Sequence, residues 1–285
     1  MPADPLVTTL LTWADASLRD LPWRRTRDPW AVLVAETMLQ QTQVARVIPK
    51  WEAFLDDFAD PEACASRPVG DVISHWAGLG YNRRAVNLHR AATEVCASHG
   101  GRIPSEVDGL LSLPGVGPYT ARAVLAFAFE RPVAPIDTNI GRVLARLDGS
   151  TLTAAQAQAR ADSLVPSDAP WLWNQGIMEL GALVCTKRSP ACGSCPVRRH
   201  CAWRGEGPDP AIGSAGVSKR QSRFEGSDRQ LRGRLVDAVR EGVVASAQLP
   251  EVLGIDDVAR AERTLEGLVR DGLVAVDGDR IRLGR

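Results

Sequence analysis

The sequence predicts an all-α fold that ends in a small winged-helix-like domain. Apolar residues recur at helical spacing through most of residues 5–205, and strand-like alternation is almost absent there. The pattern changes near the C-terminus, where predicted helices 228–240 and 256–271 precede two short alternating runs that meet at Asp277-Gly278. An Asp-Gly pair between such runs is typical of a β-hairpin. Helices followed by a hairpin predict the winged-helix-like arrangement.

The first predicted helices are marked by prolines. Asp28 is placed to cap a helix with Pro29 at its first position, and an apolar run follows through Val44. Pro49 predicts the start of a second helix at 50–58. The same apolar spacing predicts further helices at 69–77, 82–99, 107–111, 120–129, 138–147 and 173–184. Residues 205–228 are rich in Gly, Ser and Pro and predict a linker.

The length, hydrophobic content and net charge limit which classes of protein this chain can belong to. A chain of 285 residues with 45% hydrophobic residues suits two or three globular domains. No stretch approaches the roughly 18 apolar residues of a membrane span, and the N-terminus lacks a signal peptide, so we expect a cytoplasmic protein. The net charge of +0 excludes a generally basic nucleic-acid binder. It leaves room for a local basic face, either solvated or facing a polyanion, around Lys187, Arg188, Arg198, Arg199 and Arg204 and from Lys219 to Arg234.

Four cysteines lie close together with the spacing C-x6-C-x2-C-x5-C. They are Cys185, Cys192, Cys195 and Cys201. Structural zinc sites usually pair two CxxC elements, and here there is one, so the spacing favours an iron–sulfur cluster. Free thiols or disulfides are the alternative, and the absence of a signal peptide gives disulfides no support. Cys64 and Cys96 lie alone in helical segments, where we expect small buried apolar residues.

Residues 113–117, Leu-Pro-Gly-Val-Gly, stand between two predicted helices. Two glycines allow a tight turn and a close backbone approach. The helix that follows, from Tyr119, presents unpaired N–H groups, so the segment predicts a helix–hairpin–helix cradle for a DNA phosphate. A plain connecting turn is the alternative. The segment is not a dinucleotide fingerprint, because no strand precedes it.

Two carboxylates carry the strongest chemical signal. Glu36 shares a helical stripe with Val32, Leu33 and Leu39, and desolvation there would raise its pKa, as suits a general acid. Asp137 is placed to cap the helix that begins at Thr138, whose N–H groups would hold it ionised. A raised acid beside a depressed carboxylate is the pair that cleaves glycosidic bonds. The plainer roles are a glutamate at the edge of an apolar stripe and a helix cap.

Polar and aromatic residues accompany these carboxylates. An amide-rich run, Gln40 to Gln43, ends the helix of Glu36, and such side chains suit reading base edges or wedging into stacked bases. The chain has 2 tyrosines, Tyr81 and Tyr119, and both lie in these motifs.

Together these motifs resemble the MutY-type adenine DNA glycosylases of the helix–hairpin–helix superfamily. The resemblance covers roughly residues 8–204. It is carried by the cysteine spacing and by LPWR (21–24), ETMLQQTQV (36–44), GLGY (78–81), LPGVGPYTA (113–121), IDTNI (136–140) and NQGIMELGALVC (174–185). It implies a two-lobed fold, with a six-helix barrel and a lobe that holds a 4Fe–4S cluster at the four cysteines. The tail, with GSDRQLRGRL (226–235), is similar to that of short actinobacterial-type members.

The resemblance also implies a domain organisation. We expect an N-terminal helix that packs with the cluster lobe, the barrel with its hairpin, the cluster lobe, a linker and the winged-helix-like tail. These correspond to residues 1–22, 23–130, 131–204, 205–227 and 228–285.

The resemblance implies catalytic and binding roles for individual residues of this chain. Glu36 matches the acid that protonates adenine at N7, and Asp137 matches the carboxylate that stabilises, or transiently bonds to, the sugar cation. Tyr119 and Asn139 match residues that hydrogen-bond around these two groups. The adenine pocket matches Arg19, Leu21, Trp23, Arg24 and Glu179. DNA contacts are implied for Gln41, Thr42, Tyr81, Leu113, Gly115, Val116, Gly117, Lys187, Arg188 and Arg198.

The implied activity is removal of adenine opposite 8-oxoguanine or guanine in double-stranded DNA, by a monomer associated with the nucleoid. The similar endonuclease III branch carries a catalytic lysine where this chain has Pro118-Tyr119, so we expect an abasic product without strand cleavage. Thymine mismatch glycosylases lack the glutamate and the double-glutamine run. A flipped base is extruded more easily at a mismatch.

Two features depart from the family. Asn82 replaces a second aromatic residue after GLGY, and residues 228–285 are too few for the usual domain that reads oxidised guanine. We expect the tail and its basic linker to grip the duplex without sequence preference. A cluster-containing DNA-binding redox sensor would explain the cysteines and the tail, but not Glu36 or Asp137. A DNA-binding protein without catalysis conflicts with the presence of both carboxylates.

Overall fold

The computed structural model describes residues 4–214 and 223–284. Its described residues are mainly helical, which confirms the predicted class. The helices are α1 (Pro5–Ser17), α2 (Pro29–Leu39), α3 (Val44–Asp57), α4 (Pro61–Ala65), α5 (Val69–His75), α6 (Arg83–Ser98), α7 (Val107–Leu111), α8 (Pro118–Phe127), α9 (Thr138–Asp148), α10 (Ala154–Leu164), α11 (Pro170–Leu183), α12 (Asp228–Glu241), α13 (Leu249–Leu253) and α14 (Val258–Arg270). The strands are β1 (Val244–Ala245), β2 (Val274–Asp277) and β3 (Arg280–Leu283). Within the described ranges, no helix is long and apolar enough to span a membrane.

Helix α3 begins earlier than predicted. Pro49 lies inside it rather than at its start. A proline in a helix interior costs about 3 kcal/mol. The apolar stripe nevertheless continues through Val47, Trp51 and Phe54, which are buried, while Pro49 is on the exposed side. Burial of that stripe stabilises one continuous helix despite the lost hydrogen bond.

The chain forms two compact units that differ from the predicted boundaries. The first unit comprises residues 1–29, 105–107 and 117–220, and the second comprises 30–104, 108–116 and 221–285. The N-terminal helix belongs to the unit that holds Cys185, Cys192, Cys195 and Cys201. The tail, in contrast, shares a compact unit with most of the predicted barrel.

The core of the first unit lies where α1 and α9 pack against α11, with α10 packed on α9. Leu10, Leu144, Trp173 and Ile177 are nearly inaccessible to solvent there. Part of the predicted linker also belongs to this core, because Ala211 is buried in it. Residues 205–214 of the predicted linker are thus part of this unit, and residues 215–222, with Lys219 and Arg220, lie outside the described residues.

The second unit packs α4 and α5 against α6 and also carries the tail. The tail has the predicted arrangement, with α12 to α14 beside an antiparallel sheet in the order β1-β3-β2. It lies directly against α5: a Cβ at Gly70 would stand 3.0 Å from the carbonyl oxygen of Gly284. Arg240 donates to the carbonyl of Ile73 at 2.8 Å. The tail therefore packs as an integral part of the second unit.

Candidate active site and cysteine loop

Glu36 lies on α2, and its neighbours 30–38 are all buried. Glu36 itself is 5% exposed. The predicted apolar stripe around this carboxylate is confirmed. Glu36 belongs to the second compact unit, whereas Tyr119, Asp137 and Asn139 belong to the first.

Arg84 organises the loops after α2 and before α6. It donates to the carbonyls of Met38, Gln40 and Gly80 at 2.7–2.8 Å, and to Thr42 Oγ1 at 3.1 Å. Burial lowers the pKa of Arg84 to about 10. Sequence reasoning missed this residue. The sequence does hold one indication of its role: Arg84 is a basic residue that falls at the helical spacing of the apolar residues of α6.

The DNA contacts implied at these loops come together in one place. Thr42 Oγ1 also donates to the carbonyl of Leu79 at 3.2 Å, which ties the glutamine run to the GLGY segment. Gln41 and Tyr81 both adopt left-handed backbone, with φ of 56° and 47°. Such conformations are uncommon for bulky residues and cluster at functional sites. Asn82, the departure from the family pattern, accepts a hydrogen bond from Arg240 at 3.0 Å.

The segment 113–117 forms the predicted turn after α7. Leu113 and Val116 are buried, and Val116 N–H donates to the carbonyl of Leu113 at 3.1 Å. Gly115 has φ of 80°, and a Cβ there would stand 2.6 Å from Asn87 Cβ, so only glycine fits. Gly117 caps α8, which begins at Pro118, one residue before the predicted start.

Asp137 caps α9, as predicted. Its Oδ1 accepts the backbone N–H groups of Asn139 and Ile140 at 2.9 and 2.7 Å, and its Oδ2 accepts Asn139 Nδ2 at 3.0 Å. The predicted direction of its pKa is wrong for this structure. Burial raises the pKa of Asp137 and outweighs these hydrogen bonds and the charge of Arg142, which lower it. Tyr119 lies half-buried in the first turn of α8.

Asn139 connects Asp137 to the cysteine loop through Arg142. Arg142 Nη2 donates to Asn139 Oδ1 at 2.9 Å and to the carbonyl of Gly181 at 2.7 Å. Its Nε donates to the carbonyl of Cys185 at 2.8 Å. A Cβ at Gly181 would stand 2.8 Å from Asn139 Cβ, so glycine permits the close contact of α9 and α11. Sequence reasoning also missed Arg142.

Three of the five residues matched to an adenine pocket, Arg19, Arg24 and Glu179, form one ion-pair network. Glu179 is 1% exposed and accepts from Arg19 at 2.6 and 2.9 Å and from Arg24 at 2.9 Å. Burial opposes its ionisation, but the hydrogen bonds from Arg19 and Arg24 prevail and lower its pKa to about 2. Leu21 and Trp23, between the two arginines, are buried. The structure therefore joins Arg19 and Arg24 to Glu179, with Leu21 and Trp23 buried in the segment between the two arginines.

The four cysteines line one cavity after α11. Burial, together with the charges of the other three cysteines, raises the pKa of the Cys195 thiol to about 11. Arg146 Nη1 donates to Cys185 Sγ at 3.3 Å, and Arg204 N–H donates to Cys201 Sγ at 3.4 Å.

Within the described ranges, no group of three or more His, Cys, Asp or Glu side chains suits a single metal ion. A multi-iron cluster spaces its thiolates more widely than one ion does, and N–H···S hydrogen bonds are a feature of such sites. Four thiolates with N–H···S hydrogen bonds fit the donor set of an iron–sulfur cluster. Cys64, as predicted, is fully buried, whereas Cys96 is half-buried.

The basic side chains of the loop face solvent. Lys187, Arg188 and Arg198 are exposed, and Arg198, Arg199 and Arg204 line a surface pocket with Cys195. The fully buried Arg146 is different, because it stabilises the loop from inside. It donates to the carbonyl of Thr186 at 2.8 Å and pairs with Asp209 at 2.6 Å.

Comparison with known proteins places this architecture in a family. Residues 34–167 match the HhH-GPD superfamily of base excision DNA repair proteins. The adenine DNA glycosylase of Mycolicibacterium smegmatis is 42% identical over 95% of this chain and 92% of its own length. That of Mycobacterium tuberculosis is 43% identical over 95% and 91%. A thermostable thymine-DNA glycosylase structure has a TM-score of 0.65 and 31% identity, over 70% of this chain and 94% of that one. The chain belongs to the adenine DNA glycosylase family of the HhH-GPD superfamily.

Proposed function

We propose that this protein is a monofunctional DNA glycosylase that removes adenine paired with 8-oxoguanine or guanine. The observation that carries the proposal is that a chain of this family holds both required carboxylates, one buried in an apolar helix and one capping α9. The substrate is double-stranded DNA that contains the mispair.

The reaction divides between the two carboxylates. Glu36 donates a proton to adenine N7 as the bond from N9 to the sugar C1′ breaks and its electron pair passes to the base. Asp137 stabilises the positive charge that develops on the sugar. Water then adds at C1′, and its proton is lost to solvent, which leaves an abasic site. Asn139 holds Asp137 Oδ2, and Arg142 orients Asn139.

We further propose that Cys185, Cys192, Cys195 and Cys201 hold a 4Fe–4S cluster. When bound, the cluster supplies covalent cross-links that fix the loop. Arg146 and the N–H of Arg204 offer donors to sulfur, as the sulfurs of such clusters require. The exposed Lys187, Arg188 and Arg198 then lie on a rigid loop that can contact DNA phosphates.

The single-residue test is Glu36→Gln. Loss of a general acid slows such reactions by about 10²–10⁴-fold, so we expect that loss in single-turnover adenine release. The matched control is Glu52→Gln, an exposed glutamate of α3, which should keep the wild-type rate. Full activity of Glu36→Gln would contradict the assignment of the acid.

The products test the class of glycosylase. We expect free adenine and an intact strand that breaks only after alkali. A protein–DNA adduct trapped by borohydride would indicate a Schiff base and would overturn the monofunctional assignment. A wild-type protein that binds DNA in a redox-dependent way and releases no base would favour the sensor class.

A further inference from the structure

Asp137, the proposed partner of the sugar cation, stands at the end of a loop whose backbone is held by side chains of α8 and α10. The loop, residues 128–137, connects α8 to α9. Asp137 is fixed on its C-terminal side, because its side chain caps α9. Loops are generally more mobile than the elements they connect, so the position of this carboxylate also depends on what fixes the loop before it.

Ala134, three residues before Asp137, is held by two side chains of α10. Ala134 is 2% exposed. Its N–H donates to Asp162 Oδ1 at 3.1 Å, and its carbonyl accepts a hydrogen bond from Gln158 Nε2 at 3.0 Å. Gln158 and Asp162 are four residues apart on α10, so they project from the same face of that helix. One helix therefore satisfies both backbone polar groups of a buried loop residue.

Arg122 of α8 completes this arrangement, and we call Arg122, Gln158 and Asp162 the Ala134 clamp. Arg122 Nη1 donates to the same Asp162 Oδ1 at 2.7 Å and lies 3.5 Å from the carbonyl oxygen of Ala134. The side chains of this ion pair are 27% and 37% exposed. An ion pair so open to solvent contributes little to the stability of the whole fold. Its convergence on one loop residue instead indicates a local positioning role.

The short segment between the clamp and the carboxylate has little conformational freedom. Pro135 is buried, and its ring fixes its backbone φ angle. Ile136 packs against the core of the first unit. A displacement of Ala134 would therefore be passed on to Asp137 and would not be absorbed within the loop.

We propose that Arg122, Gln158 and Asp162 are positioning residues for the glycosylase reaction, which hold Asp137 where positive charge develops on the sugar. The inference rests on the proposed function, because it takes the role of Asp137 from there. The clamp acts through the backbone of Ala134, so it needs no contact with the substrate. All of these residues lie in the first compact unit. A misplacement of about 1 Å can slow a reaction by about 10²-fold, so a small shift of the loop is sufficient for a measurable effect.

The test compares the affinity of the full chain for two duplexes that carry 8-oxoguanine opposite an altered sugar. In one duplex the target sugar is a pyrrolidine ring, whose protonated nitrogen resembles the developing cation. In the other it is a neutral tetrahydrofuran ring of the same size. The ratio of the two affinities reports how well the protein stabilises the charge, because the shared contacts cancel. Asp162→Ala should lower this ratio about ten-fold and slow single-turnover adenine release about 10–100-fold, with little change in affinity for the neutral duplex.

Three further variants separate the clamp from general effects on the fold. Asp148→Ala is the matched control, because Asp148, at the end of α9, pairs with Arg160 of the same helix α10 at similar exposure. It should keep the wild-type ratio and rate. Asp162→Asn keeps an oxygen acceptor for the Ala134 N–H and should recover most of the ratio. Gln158→Leu removes the donor to the Ala134 carbonyl and should lower the ratio about three-fold, as expected for one hydrogen bond. It provides a second test if Asp162→Ala does not fold.

Two outcomes would overturn the inference. One is a wild-type affinity ratio in both Asp162→Ala and Gln158→Leu. The other is an equal loss of affinity for the cationic and the neutral duplex, which would mean that the clamp supports DNA binding in general. The wild type tests the proposed function separately. If it released no adenine and bound both duplexes alike, the proposed function would fail, whereas a wild type that prefers the cationic duplex, with both variants keeping that preference, would overturn the clamp alone.

Discussion

The fully buried Glu179 and the half-buried Asp137 are two carboxylates of the same compact unit, and they are stabilised in opposite ways. Glu179 faces two arginines, and its pKa falls to about 2. Asp137 accepts hydrogen bonds from neutral N–H groups, and Arg142 reaches it only through Asn139. Burial raises the pKa of Asp137. An ion-paired carboxylate is fixed in place and already neutralised. We propose that Glu179 is a structural anion, whereas Asp137, which has no direct ion-pair partner in the described part of the chain, is the carboxylate that faces the developing cation.

The largest expected loss of folding stability follows from breaking the ion-pair network around Glu179. Glu179→Gln leaves Arg19 and the buried Arg24 without their anion, so we expect about 3–5 kcal/mol lower unfolding free energy in denaturant titration. Glu130→Gln is the control, because its pair with Arg27 is half-exposed and is worth at most about 1 kcal/mol. Equal effects of the two changes would show that Glu179 is not a structural anion.

The pH dependence sharpens the same prediction. The folded pKa of Glu179 lies below its ordinary value, so its contribution is fully present above pH 5 and is lost as the pH falls toward 2. The wild type should therefore lose stability over this acid range more steeply than Glu179→Gln does. Parallel curves for the two proteins would contradict the lowered pKa.

An intermediate effect is expected at Arg142, which connects Asn139 to Cys185. Arg142→Gln removes a guanidinium that makes four hydrogen bonds, and we expect a loss of about 1–3 kcal/mol in stability and a slower adenine release, because Asn139 is no longer oriented. Arg160→Gln, at a half-exposed pair with Asp148, is the control. The measurements are thermal melting, single-turnover rate and iron content. A wild-type rate in Arg142→Gln would rule out a positioning role.

The smallest effect on stability is expected at Asp137. Asn is as good a helix cap as Asp, and Asp137→Asn removes a buried charge while it loses one acceptor, so the change should stay within about 1 kcal/mol. Asp257→Asn, at the cap of α14, is the control. A melting temperature as low as that of Glu179→Gln would make Asp137 a structural anion and would remove the contrast between the two carboxylates.

Local features of the fold and the site could be predicted from the sequence, whereas features that depend on distant contacts could not. Apolar spacing predicted most helices, and the glycines of 113–117 predicted the turn. The partners of Arg84, Arg142 and Arg146 are backbone carbonyls far along the chain, which no local pattern reveals. The N–H donors of Asp137 are local and were predicted, but its burial comes from tertiary packing, so the direction of its pKa was wrong.

Single-turnover release of adenine by Asp137→Asn from an adenine·8-oxoguanine duplex tests the central claim most directly. The account predicts a folded variant with Glu36 intact that releases adenine about 10²–10³-fold more slowly than the wild type, as expected when a charge that stabilises the transition state is lost. A folded Asp137→Asn protein that releases adenine at the wild-type rate would contradict it.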